Sequence, residues 1–119
     1  MRHNLEAFRD AGGPSPRLVA VGGGTRGGLW TQIVSDVTGE EQQIPADTTG
    51  AALGDALLTA QALGLDADAA TWNPIVDVVR PNPERTVRYD AFHAHYRALY
   101  PATADAAHFL AEEQRDAGE

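Results

Sequence analysis

Glycines dominate the junction between a short apolar run and an amphipathic segment. Five of the seven residues from Gly22 to Gly28 are glycine, and they follow the run "RLVAV" at 17–21. A glycine inside a regular element costs about 0.5–1 kcal/mol relative to alanine. A plain turn needs only one or two of them. We therefore interpret the run as a close approach of backbone to a nucleotide, with helix N–H groups facing an anion.

Two nucleotide-binding motifs can be tested against this run. The P-loop pattern GxxxxGK[ST] requires a lysine, and the chain has none, so that motif is excluded. Gly22, Gly24 and Gly27 do satisfy GxGxxG, the dinucleotide fingerprint. The acidic residue expected after the next strand is missing, because "QQIP" occupies that place. A dinucleotide-binding oxidoreductase therefore stays as the weaker alternative.

The elements that must position the glycine run follow from apolar periodicity and turn residues. The segment 28–39 predicts an amphipathic helix, with Trp30 in a core stripe beside Val34 and Val37 and a stop at Gly39. We expect capping of the next helix by Asp47, Thr48 or Thr49 and a stop at Gly64. The predicted order is helix 2–11, strand 17–21, helix 28–39, strand 41–45, helix 47–64, irregular arm 65–84 and a terminal helix pair split near Pro101.

Other side chains that could do chemistry give weaker patterns. His93 and His95 lie in a helical pattern, where they point about 200° apart and cannot chelate one metal ion together. Asp36 and Asp55 lie on the helices flanking the glycine run and favour surface or capping roles over contact with hydrated Mg²⁺. Arg26, inside the run, is either a phosphate contact or an exposed arginine. No catalytic residue and no metal ligand is assigned.

Composition limits the class of protein. A chain of 119 residues corresponds to one domain, and 43% hydrophobic with 22% charged residues is typical of a globular fold. A net charge of −8 argues against nucleic acid and against an anionic membrane surface as partners. There is no cysteine, no run of 18 apolar residues and no signal-peptide core. We expect a cytoplasmic protein.

Two ordered motifs carry a family resemblance. The stretch "AVGGGTRGGLWTQIVSDVTG" followed by "IPADTTGAALGDALLTAQALG" resembles the C-terminal domain of FGGY-type carbohydrate kinases, xylulokinase-like members above all. The resemblance implies an α/β fold: a partial actin-like ATPase (ribonuclease H-like) C-terminal domain, helix-rich with one or two short strands. Residues 1–64 would be a segment of the nucleotide-binding domain, and 65–119 an irregular arm and C-terminal helices of the same domain.

The resemblance also implies roles for the glycine run. Gly23 and Gly24 match the pair that packs against adenosine, and Thr25, Gly27 and Gly28 follow beside the base and ribose. With Gly22 these residues form the expected binding set for ATP with Mg²⁺. The family motif W-x-Q with a D-x-x-G ending falls on Trp30, Gln32, Asp36 and Gly39. Gly50 and Gly54 are expected to let their helix pack closely on a neighbour.

The resemblance further implies that parts of a kinase are missing. Kinases of this family are several times longer, and their catalytic aspartate and most of the sugar site lie upstream of the segments seen here. We therefore expect a C-terminal piece of a sugar kinase: a truncated product, an incomplete gene model or half of a split enzyme. Its partners would be adenine nucleotide, and a sugar substrate only with the missing N-terminal domain. The polypeptide partner would be a second copy of the chain or the missing kinase half. The alternative is a non-catalytic remnant or interaction module of the same fold.

Overall fold

The structure is a computed structural model that describes residues 1–14 and 17–118. Alternating helices and short strands make up the described residues, as the sequence predicts. In chain order the elements are α1 Arg2–Asp10, β1 Leu18–Val19, a 3-10 helix Gly23–Thr25, α2 Leu29–Thr38, β2 Gln42–Pro45, α3 Ala51–Ala62, α4 Ala69–Trp72, β3 Ile75–Val79 and α5 Pro83–Asp116.

The described strands form a three-stranded sheet in the order β1-β2-β3. β1 runs parallel to β2, with Leu18 opposite Gln42, and β3 runs antiparallel to β2, with Gln42 opposite Val79. This is one strand more than the one or two expected, because β3 lies within the predicted irregular arm. Its sequence "IVDVV" is a β-branched run, and Pro74 and Pro81 flank the strand instead of interrupting it.

The chain divides into two compact units, Met1–Thr86 and Val87–Glu119. The division at residue 64 into two segments of one domain stays a prediction. The expected terminal helix pair is wrong: α5 is one helix of 34 residues with Pro101 inside it. Proline removes one backbone donor from a helix, and the helical hydrogen bonds on either side carry α5 through this gap. Among the described residues, no helix is long and apolar enough to cross a membrane.

Helix α2 lies against the sheet through a face that is largely polar. Its buried residues are Thr31, Val34, Ser35 and Asp36. The prediction that Trp30 lies in the core is wrong, since 61% of Trp30 is exposed. The strands beneath α2 are only two to five residues long, and their hydrogen bonds to this helix are made at Thr31 and Ser35.

Glycines, and not side-chain caps, lie at the ends of α2 and α3. Gly39 takes a left-handed conformation (φ 72°) at the end of α2, which confirms the predicted stop. α3 begins at Ala51 after Gly50 (φ 70°), without a side-chain cap, so the capping expected from Asp47, Thr48 or Thr49 is wrong. Asp47 instead accepts a hydrogen bond from the Thr49 N–H within its own loop. Gly64 (φ 71°) follows α3 as predicted.

Gly50 and Gly54 differ in what surrounds them. A Cβ placed on Gly50 would lie 3.3 Å from Cγ2 of Val21, so the backbone is close-packed there. A Cβ on Gly54 would meet nothing within 4 Å. The expected close packing is therefore present at Gly50 and absent at Gly54 among the described residues.

This difference gives a stability prediction. Gly54→Ala should raise the free energy of unfolding by about 0.5–1 kcal/mol, because alanine orders more cheaply than glycine in a helix. Gly50→Ala should lower it, because a positive φ strains any Cβ-bearing residue and Val21 crowds the position. Urea denaturation of the two variants measures both changes. A gain at Gly50, or a loss at Gly54, would contradict the packing described above.

Candidate functional site

The glycine turn links the end of β1 to the start of α2. The Gly22 N–H donates to the Thr48 carbonyl, which ties the turn to the loop before α3. The Thr25 hydroxyl donates back to the Gly22 carbonyl over 2.8 Å, and the Thr25 N–H donates to the same oxygen over 3.1 Å. Backbone and one side chain therefore fix the 3-10 helix Gly23–Thr25. All six residues predicted to bind nucleotide lie in this one turn.

The fold itself accounts for four of the five glycines. Gly22, Gly27 and Gly28 have φ of 87°, 91° and 73°, a region that L side chains rarely adopt. A Cβ on Gly24 would lie 2.8 Å from Cδ1 of Trp30. Three positions therefore need glycine for backbone conformation, and the fourth needs it for packing against an indole ring.

Gly23 is the exception within the turn. Its φ is not in the positive region, and a Cβ placed on it would meet nothing within 4 Å. Neither conformation nor packing among the described residues requires glycine there. The space above Gly23 is open, as it is above Gly22, Gly27 and Gly28, but only Gly23 is free of a conformational need for glycine.

A groove of about 470 Å³ lies beside the turn, between β1 and α2. Its walls include Gly24 and Thr25 from the turn, Trp30 from α2 and the apolar run of β1. The volume falls in the range of small-molecule sites. α2 begins directly above the turn after Gly28, without a side-chain cap, so its first N–H groups have no side-chain acceptor there.

A buried carboxylate holds α2 to the start of α5. Asp36 is 1% exposed, and its Oδ1 accepts from Gln32 Nε2 and from the Asn82 N–H, each over 2.8 Å. Arg85 Nη1 lies 3.4 Å from the other oxygen. Gln32 also donates to the Arg80 carbonyl over 3.0 Å. The expected surface role of Asp36 is wrong. The expected capping role is similar to what is found, because Asp36 accepts from the Asn82 N–H at the start of α5.

Hydrogen bonds outweigh the effect of burial on the pKa of Asp36. Burial opposes ionisation, but the Asn82 N–H, Gln32 and Arg85 together lower the pKa of the carboxyl below its ordinary value of 3.8. Asp36 is therefore ionised at neutral pH and acts as an acceptor.

A second buried polar group joins α2 to two strands. Gln42 Nε2 donates to the Thr31 carbonyl over 2.6 Å and to the Ser35 hydroxyl over 2.8 Å. Ser35 in turn donates to the Val79 carbonyl over 3.1 Å. Sequence reasoning missed Ser35 and Gln42. For the polar contacts of α2, the one local sequence signal was the i,i+4 spacing of Gln32 and Asp36. The other hydrogen-bond partners of these two residues lie more than 40 residues further along the chain.

Of the remaining candidates, Arg26 lies within the turn, whereas the two histidines and Asp55 lie on other helices. His93 and His95 both lie in α5, which confirms the helical placement that prevents joint chelation. Asp55 lies exposed on α3. Arg26 ends the 3-10 helix and is exposed.

Comparison with known proteins agrees with this architecture. Residues 1–63 match the C-terminal domain of the FGGY family of carbohydrate kinases. The chain belongs to the FGGY family. An autoinducer-2 kinase from Enterobacter sp. (strain 638) is 41% identical over 87 residues, which cover 70% of this chain and 16% of that kinase. The family assignment replaces the dinucleotide-binding alternative, which is wrong.

Solved FGGY structures share the fold. A xylulose kinase from Rhodospirillum rubrum matches with a TM-score of 0.73 and 29% identity, over 90% of this chain and 22% of that one. A xylulose kinase from Brucella ovis matches with a TM-score of 0.68 and 30% identity, over 88% of this chain and 22% of that one. The partial actin-like ATPase fold is thereby confirmed. This FGGY segment spans about a fifth of the length of these kinases.

The buried carboxylate gives a pH-dependent prediction. Asp36→Asn should lower the free energy of unfolding at neutral pH by about 2 kcal/mol, because it weakens charge-assisted hydrogen bonds in a buried place. A lowered folded-state pKa stabilises the fold above the unfolded-state pKa, near 3.8, and that contribution disappears as pH falls through the folded-state value. The difference between wild type and variant should therefore shrink in acid.

Urea denaturation across pH measures this difference. Asp55→Asn, which changes an exposed aspartate on α3, serves as the control and should alter stability by less than about 0.5 kcal/mol at any pH. A gap between wild type and Asp36→Asn that stays constant into strong acid would show that the carboxylate charge has no part in the contact.

Proposed function

We propose that this chain supplies the adenosine side of the ATP site of a carbohydrate kinase. The observation that carries the proposal is Gly23, an open glycine that the fold does not require. It lies in a turn whose shape is fixed by hydrogen bonds within the chain, next to the uncapped start of α2. We infer that the ligand is a nucleotide from membership of a family of carbohydrate kinases. The proposed binding residues are Gly22, Gly23, Gly24, Thr25, Gly27 and Gly28.

The role proposed for the turn is positioning. Phosphoryl transfer depends mainly on orientation and on stabilising the charge of the transferring group. ATP with Mg²⁺ would supply the phosphoryl group and much of that charge stabilisation. The turn would hold the nucleoside against bare backbone, and Gly24 with Trp30 would form one wall. No residue of this chain is proposed as the base that takes the proton of the sugar hydroxyl.

A second polypeptide segment is part of the proposal. Among the described strands, β1 pairs on one side only, and Val19 and Val21 are 39% and 51% exposed beside it. An unpaired strand edge is a template for a further strand. We propose that the rest of an FGGY kinase, carrying the catalytic aspartate and the sugar site, pairs along this edge.

The sugar is named only as a class. The relatives carry two different substrate names, autoinducer-2 and xylulose, so we propose a carbohydrate hydroxyl as acceptor. The cytoplasmic location stays a prediction from the sequence.

Nucleotide binding is tested by thermal unfolding of the intact chain with and without Mg–ADP. A ligand that binds only the folded state at a hundredfold excess over Kd stabilises it by about 2.7 kcal/mol. Gly23→Ala should leave the unliganded melt within about 0.5 kcal/mol of wild type and should abolish most of the ADP shift, because the added methyl group fills the space that the ligand needs.

Gly54→Ala is the matched control for this experiment. It makes the same chemical change at another open glycine, on α3 and outside the turn, and should keep the full ADP shift. A cooperative melt that ADP does not move would contradict the proposal and favour the non-binding remnant of the same fold. Equal ADP shifts for wild type and Gly23→Ala would place the nucleotide elsewhere.

Catalysis is tested separately with a coupled assay for ADP release. The chain alone, given Mg–ATP and xylulose, should show no sugar-dependent turnover, because it has neither base nor sugar site. Adding a xylulose kinase truncated before the matching C-terminal region should restore turnover, since the two pieces together would complete the cleft. Sugar-dependent turnover by the 119-residue chain alone would overturn the half-site proposal.

A further inference from the structure

Helix α5 displays an apolar stripe on the second compact unit. The stripe recurs at alternating spacings of three and four residues, the mean period of 3.5 that is typical of coiled coils. It consists of Tyr89, Phe92, Tyr96, Leu99, Thr103, Ala106 and Leu110. Four of its large members are open to solvent: Phe92 is 56% exposed, Tyr96 61%, Leu99 59% and Leu110 65%. Tyr89 is partly buried. Pro101 falls on the opposite side of the helix from this seam.

The same face is concave near its middle. A shallow recess of about 420 Å³ is lined by Phe92, His95, Tyr96, Ala98, Leu99 and Ala102. The two alanines leave room between larger side chains. A protruding apolar side chain from a partner would fit this recess.

Charge is distributed unevenly along α5. From residue 87 to 101 there are two arginines and one aspartate, whereas from 102 to 118 there are four carboxylates and one arginine. Acidic residues at a helix C-terminus are unfavourable, because the helix dipole is negative there. A neighbouring helix running in the opposite direction would bring its positive N-terminal end and its arginines to these carboxylates.

We propose that two copies of this chain associate through the α5 stripe in antiparallel orientation. The copies would be related by a twofold axis that crosses the seam at the level of Pro101. This register places a large residue against a smaller one in two of the three central pairs. The opposing pairs are Phe92 with Leu110, Tyr96 with Ala106, and Leu99 with Thr103.

The flanking positions fit the same register. Arg88 of one copy lies opposite Asp116 of the other, so an ion pair forms at each end of the seam. Phe109 of one copy faces His95 of the other and enters the recess. Ala102 lies next to its own twofold mate. A parallel pair would instead bring the acidic C-terminal halves together and would lose these contacts.

Sedimentation velocity of the intact chain over a range of concentrations tests the association. We expect the mass to rise with concentration from 12.6 kDa toward twice that value. Leu110→Asp should weaken dimerisation by at least about tenfold, since it buries a charge in an apolar layer. Val87→Asp is the matched control: Val87 is 70% exposed but lies off the stripe, so its variant should dimerise like wild type.

The direction of the helices is tested with charges and cysteines. Arg88→Asp should weaken the dimer, and the double variant Arg88→Asp with Asp116→Arg should restore it. The chain has no cysteine, so Ala102→Cys should form a disulfide-linked dimer under mild oxidation. Ala94→Cys, on the opposite face, should not, and neither should Ala106→Cys, which would meet its own mate only in a parallel pair.

Several results would overturn the proposal. A monomer at every concentration would show that this face does not join two copies of the chain. A dimer unaffected by Leu110→Asp would use another surface. Crosslinking through Ala106→Cys in place of Ala102→Cys would reverse the direction of the helices. Circular dichroism of each variant ensures that a lost dimer is not a lost helix.

Discussion

The hydrogen-bonded contact between α2 and the sheet is the interaction on which the rest of the first unit depends. Among the described residues, only Val34 and Ala60 are buried apolar residues, too few to position a helix by hydrophobic packing. Ser35, Asp36 and Gln42 join α2 to β2, β3 and the start of α5 by bonds of 2.6–3.1 Å. A buried polar group left unpaired is costly, so these hydrogen bonds favour one position of α2 on the sheet. That position fixes where α2 begins, and α2 begins at the glycine turn.

The turn is therefore built before any ligand arrives. Its hydrogen bonds run from backbone and Thr25 to Gly22 and Thr48, and its positive φ angles require glycine at three places. Such preorganisation reduces the ordering cost of binding. Most of these glycines shape and pack the turn, whereas neither backbone conformation nor packing requires glycine at Gly23. The W-x-Q and D-x-x-G motif also has two roles. Trp30 borders the groove, whereas Gln32 and Asp36 hydrogen-bond α2 to the rest of the fold.

Exposed apolar surface is the other constraint on this molecule. The chain spans about a fifth of the xylulose kinases that it resembles, and many large apolar residues in both units are more than half exposed. Contiguous apolar surface of this kind marks places where other chains bind. The edge of β1 offers backbone hydrogen bonds, which suit a strand. The stripe on α5 offers none, because a helix satisfies its own backbone, and so it suits a second helix.

The sequence by itself determined the family, the order of helices and strands up to α3 and the location of the turn, because glycine patterns and apolar periodicity are local properties. It also gave α2, β2 and the stops at Gly39 and Gly64 correctly. It did not give β3, whose β-branched run becomes a strand only because β2 offers it an edge, nor the single helix α5, which passes through Pro101. Above all, it could not show that Asp36 is buried while Trp30 is exposed. Hydropathy ranks a residue by its own side chain, whereas the burial of Asp36 depends on donors from Asn82 and Arg85, which only the tertiary structure brings beside it.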